Sequence, residues 1–141
     1  MRASQSITII GVGLLGGSLG LALRAAGFTG KLVGVGRRQE SLDEAMKFRC
    51  IDEATCNLPA GVQGADMVVL ATPVGAYERI FHEIAPALSK HAVVTDVGST
   101  KRQVVALGDI LLGANRFVGS HPMAGMENKG VAFARADLFE G

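Results

Sequence analysis

The chain is predicted to fold as an α/β domain, a doubly wound, mostly parallel sheet with helices on both faces. Three observations predict it. Short apolar runs alternate with helix-spaced segments along the 141 residues, the pattern of parallel βαβ units. The first run stops at Gly11, Gly13 and Gly16, a Gly-x-Gly-x-x-Gly spacing that suits a strand, tight turn and helix around a pyrophosphate. Small, polar or charged residues follow the successive runs, where sheets of this Rossmann type bind ligands beyond their strand ends.

Ile7 to Ile10 is the expected first strand, and the Ala/Leu-rich segment up to Gly27 its helix. The first glycine makes the turn, the second admits phosphate against bare backbone, and the third brings helix and strand close. The helix N-terminus then offers unpaired N–H groups and the positive end of its dipole to the phosphates. A membrane span is the rival reading of this apolar stretch, but Gly11, Gly13, Gly16, Gly17, Gly20 and Arg24 suit a lipid-facing helix poorly. Lys31 to Val35 is the second strand, with a helix over Glu40 to Phe48, and Ile51 to Ala54 a weak third strand. Met67 to Ala71 is a buried fourth strand, and helical spacing runs from Val74 to Leu88 through Tyr77, Ile80, Phe81 and Ile84. Thr72-Pro73 reads as a Thr N-cap followed by Pro at the first helical position. Ala92 to Thr95, a helix over Thr100 to Leu112 and a short strand over Arg116 to Val118 complete the alternation.

Composition bounds the function. With 48% hydrophobic and 19% charged residues the chain is globular rather than disordered. A net charge of +1 without a Lys/Arg block points away from nucleic acid and anionic membranes. The first residues, MRASQS, lack the apolar core of a signal peptide, which places the expected site of action in the cytoplasm. Cys50 and Cys56 are read as free thiols, and no histidine stands near them at metal-ligand spacing.

The second strand selects the cofactor. NAD-binding sheets of this kind usually carry an acidic residue there, about 20 or more positions past the glycines, to bond the ribose 2′-hydroxyl. Here that place holds Gly36, Arg37 and Arg38, and two guanidiniums suit a 2′-phosphate. The expectation is NADP, with NAD as the alternative. The expected cofactor contacts are Gly11, Val12, Gly13, Leu14, Leu15 and Gly16 in the first turn, Gly36, Arg37 and Arg38 after the second strand, and Ala71, Thr72 and Pro73 after the fourth. Ser99 joins them, as an N-cap of the following helix or as a group orienting substrate and nicotinamide. His121 stands in a loop of small residues before Pro122, where it is placed to take a proton from a hydroxyl losing hydride from its carbon. His82 and His91 have no such context.

GVGLLGGSLGLAL, ATPV, TDVGSTK and GSHPMAG, in this order and spacing, resemble the cofactor domain of prephenate and arogenate dehydrogenases of tyrosine biosynthesis. The resemblance spans essentially the whole chain, and it rests more on the last two motifs than on the glycines. It implies NAD(P)-dependent oxidation of a cyclohexadienol with loss of its ring carboxylate as carbon dioxide. It further implies that Ser99 lies near the substrate hydroxyl and nicotinamide, that His121 is the catalytic histidine on that hydroxyl, and that Glu127 stands by the active-site entrance. The family continues into a helical domain that dimerises and supplies basic side chains to the substrate. The 141 residues are therefore expected to be a nucleotide-binding domain that binds NADP and turns over little alone, Lys101, Arg102, Lys129 and Arg135 being an incomplete substrate clamp. The rival readings are a dehydrogenase of the 3-hydroxyacid or imine-reducing type, not expected to pair TDVGSTK with GSHPMAG, and an NADP-sensing module without catalysis.

Overall fold

Strand β1 (Ser6–Ile10) is buried from Ile7 onward and lies at the middle of the sheet. In the computed structural model, residues 5–97, 102–113, 116–119 and 134–137 are described. β1 runs through the turn at Gly11 into helix α1 (Leu14–Ala25), and the chain returns as β2 (Lys31–Val35), α2 (Gln39–Lys47) and β3 (Glu53–Thr55). A short helix α3 (Leu58–Val62) then leads to β4 (Met67–Leu70), α4 (Tyr77–Ile84), β5 (Val93–Asp96), α5 (Arg102–Leu112) and β6 (Phe117–Val118). All pairings are parallel, in the order β3-β2-β1-β4-β5-β6. The order reverses between β1 and β4, so the crevice of a doubly wound sheet opens there.

The period of two along each strand divides the core into two layers. Ile7 and Ile9 of β1, Leu32 of β2 and Val69 of β4 face one layer, closed by α1 and by Leu42 and Ala45 of α2. Ile10, Val35, Val68, Leu70 and Val94 face the other, where α3, α4 and α5 bring Leu58, Val62, Ile80, Phe81, Ile84, Val104 and Leu112. Thr8 is fully buried on this second side, and its hydroxyl donates to the Gly61 carbonyl of α3 at 2.7 Å. A polar group so placed is tolerated because it is bonded.

The structure adjusts several boundaries. The third strand lies over Glu53–Thr55 rather than Ile51 to Ala54, because Ile51 is spent on the core at the α2 side. The segment from Val74 to Leu88 is not one helix but a 3-10 turn (Val74–Ala76), α4, and a second 3-10 turn (Ala85–Ala87). Pro86 accounts for the last break, since it lacks the N–H that would continue the helix. Helix α3 was not expected. It is anchored by the Asn57 side chain, which accepts from the Ala60 N–H at 2.8 Å. Thr72 does not act as an N-cap: its hydroxyl donates to the Pro73 carbonyl at 3.4 Å, and Pro73 itself occupies the cap position of the 3-10 turn.

Candidate dinucleotide site

The site begins with Gly11. Its φ of +92° is one that L side chains rarely adopt, and an added Cβ would lie 2.9 Å from the Ala71 carbonyl oxygen. Its N–H donates to the Val35 carbonyl at 2.7 Å, while the Ala71 N–H donates to Ile10 at 2.8 Å. The ends of β1, β2 and β4 are thereby tied into one rim. Gly16 meets a different constraint: a Cβ there would overlap the Gly11 carbonyl oxygen and come within 3.1 Å of Ile9. At Gly13 a Cβ would meet no protein atom within 4 Å. Two glycines are required by the protein's own packing, and the third leaves open space at the N-cap of α1.

A cleft of about 630 Å³ opens at this rim, lined by Gly11 to Gly13, Gly36 to Arg38 and Ala71 to Pro73. Three stretches separated by up to 60 positions in the chain thus meet, as the strand-end pattern required. Leu14, Leu15 and Gly16 do not line the cleft; Leu14 and Gly16 are buried under it. Arg37 and Arg38 are exposed at the start of α2, which has no side-chain N-cap. Arg38 Nε lies 3.9 Å from the Glu40 carboxylate, both side chains about four-fifths exposed, so that pair is weakly held. Arg37 has no acidic partner among the described residues.

The cleft also holds residues that sequence reasoning missed. Ser41 lines it from the first turn of α2, and its position just after the two arginines was a local signal. Cys56 lines it as an exposed free thiol, whereas Cys50 is free but buried, its thiol pushed up to about 11 by loss of solvent. Arg79, Ile80 and Glu83 of α4 form the far wall, and only the fold could place them there. Asp96, at the end of β5, turns away into the core. It is fully buried and accepts from the Tyr77 hydroxyl at 2.9 Å. Arg135 pairs with Asp137 at 3.1 Å, and its N–H donates to the buried Ser18 hydroxyl at 2.9 Å. Ser99, His121 and Glu127, like Lys101 and Lys129, lie outside the described residues, as does Thr100, the expected start of the helix that becomes α5. Among the described residues, no helix is long and apolar enough to cross a membrane.

An all-parallel 3-2-1-4-5-6 sheet with a glycine turn at its switch point defines a dinucleotide-binding domain of the Rossmann class. The family model for the prephenate dehydrogenase nucleotide-binding domain matches residues 19–141. The chain belongs to this family. Prephenate dehydrogenase of Bacillus subtilis is 38% identical over 141 residues, which cover 99% of this chain and 38% of that protein. The structure of prephenate dehydrogenase from Aquifex aeolicus in complex with hydroxyphenyl propionate and NAD+ superposes with a TM-score of 0.92 at 38% identity, covering 99% of this chain and 49% of that one. Arogenate dehydrogenase of Synechocystis superposes at 0.86 with 34% identity, covering 95% and 46% respectively. The chain therefore spans less than half the length of each of these relatives.

Proposed function

We propose that this chain is the cofactor domain of an NADP-preferring dehydrogenase that oxidises and decarboxylates prephenate or arogenate. The observation that carries the cofactor assignment is the end of β2, where Gly36, Arg37 and Arg38 line the cleft and Arg37 has no acidic partner among the described residues. An unshared guanidinium suits a phosphate dianion through charge-assisted, bidentate bonds. The open space at Gly13 and the α1 N-terminus fit the pyrophosphate. NAD is the second reading, favoured by the NAD+ complex of the Aquifex relative.

When bound, the nicotinamide supplies the hydride acceptor. The chain's own residues bind, orient and exclude water: Thr72 and Pro73 close the nicotinamide side of the cleft, and Ser99 orients the substrate hydroxyl. His121 accepts the proton of that hydroxyl as hydride leaves its carbon, and Glu127 borders the entrance. A positioned base of this kind contributes about 10² to 10⁴ in rate. Aromatisation of the product ring supplies the driving force, so positioning and charge stabilisation are the protein's main tasks. A helical domain beyond these residues completes the substrate site and forms a homodimer, and the isolated chain binds NADP with little turnover.

The experiment is reduction of NADP and of NAD by the full gene product, given prephenate and arogenate in turn. Turnover of one substrate with NADP favoured is the expected result. In the R37A/R38A variant the loss of NADP affinity should greatly exceed that of NAD; equal losses would refute the assignment. Cofactor binding without turnover of either substrate would favour another helical-domain dehydrogenase or a nucleotide sensor.

A further inference from the structure

We propose that Arg79 of α4 is the adenine-covering residue of the cleft, a planar lid for the base rather than a third phosphate ligand. This rests on the dinucleotide reading above and names the residue that closes the other side of the site. Ala76 at the N-cap of α4 and Arg79, Ile80 and Glu83 within it recur at helical spacing and all line the cleft, so one stripe of this helix faces it. Glu78 and His82 lie off that stripe and are exposed. An Arg–Glu pair four residues apart on a helix is ordinarily a solvated surface pair worth little. Here Arg79 and Glu83 line the same cleft as Gly36 to Arg38, and the Ile80 between them is buried in the core and fixes that face of the helix. That sets a guanidinium at the edge of the cleft.

Charge separates the roles of the three arginines. Arg79 Nη1 donates to Glu83 Oε1 at 3.2 Å, with the two side chains 53% and 43% exposed. Its charge is already balanced, and Glu83 would oppose a dianion brought against it. Arg37 carries no such partner among the described residues. A phosphate therefore goes to Arg37, and the neutral, flat part of the nucleotide goes to Arg79. Guanidinium planes stack on aromatic faces, and an ammonium does not replace the plane.

The test is calorimetric binding of NADP, NAD and nicotinamide mononucleotide to the full gene product and its R79A and R79K variants. In R79A, affinity for NADP and for NAD should fall by the same factor, about two- to thirtyfold. Nicotinamide mononucleotide, which has no adenine, should bind unchanged, and R79K should not restore the loss. Selective loss of NADP, or rescue by R79K, would make Arg79 a phosphate ligand and overturn the proposal, as would unchanged binding in R79A. If the unaltered protein binds neither dinucleotide, the cofactor reading falls and this one with it.

Discussion

Two alanine substitutions in one turn should separate folding from binding. At Gly16 the new methyl meets the Gly11 carbonyl oxygen, which is backbone, and Ile9 at 3.1 Å. Gly11 cannot retreat easily, because its N–H holds Val35 at 2.7 Å. Overpacking of this sort costs about 1 to 3 kcal/mol, with the upper half applying where backbone must move. Replacing a helical glycine returns about 1 kcal/mol. The net is a destabilisation of about 1 to 2 kcal/mol, or a Tm lowered by about 3 to 7 °C for a domain of this size. At Gly13 the methyl meets nothing within 4 Å, and the poorer N-cap preference of alanine is offset by its smaller entropy loss on folding, leaving stability within about 1 kcal/mol. The same methyl occupies the phosphate's approach. Loss of one charged hydrogen bond there, about 1.5 to 3 kcal/mol, weakens NADP binding by about 10- to 150-fold. Thermal unfolding followed by circular dichroism and NADP titration check both. A Gly16→Ala variant that melts like the parent, or a Gly13→Ala variant that keeps its NADP affinity within threefold, would refute the reasoning.

Further expectations follow the same lines. Thr8→Val removes the buried donor to Gly61 and should destabilise by about 1 to 3 kcal/mol in urea unfolding, because the carbonyl loses its partner out of water. Cys50 ionises at about 11 in the fold against an ordinary 9.0, so the unfolded chain releases its proton first. Its contribution is intact below pH 9 and is lost toward pH 11, at a slope of up to about 1.4 kcal/mol per pH unit. Denaturation at stepped alkaline pH should show that slope reduced in Cys50→Ala. Cys56, exposed in the cleft, should be alkylated by iodoacetamide more slowly when NADP is present, and Cys50 should resist alkylation in either case. His121→Asn should leave the NADP dissociation constant within about twofold while kcat falls by at least about 10²; a tenfold or smaller loss would remove it from the role of base.

Much of the sheet could be read locally. Runs such as SITII and KLVGV set a strand within their own length, and the glycine spacing after the first fixed the turn into α1. The site was half legible for the same reason, since Gly11, Gly13, Arg37, Arg38, Thr72 and Pro73 each follow a strand end. Helix α3 was hidden because five residues carrying a proline and a glycine hold too little helical periodicity, and what stabilises it is remote: the Thr8 hydroxyl on Gly61, and Leu58 and Val62 in the core. Conversely, the helical spacing from Val74 to Leu88 exceeded the real helix, because periodicity reports the buried face and not where Pro86 interrupts the hydrogen bonds.

The sequence by itself determined the parallel alternation, the glycine turn into α1 and the cationic end of β2, all written within a few consecutive residues. Only the tertiary structure decided that Arg79, Glu83 and Cys56 share that cleft while Asp96 does not. The physical reason is that side-chain periodicity is local, whereas a cleft is made where strand order reverses and elements distant in the chain are packed against each other.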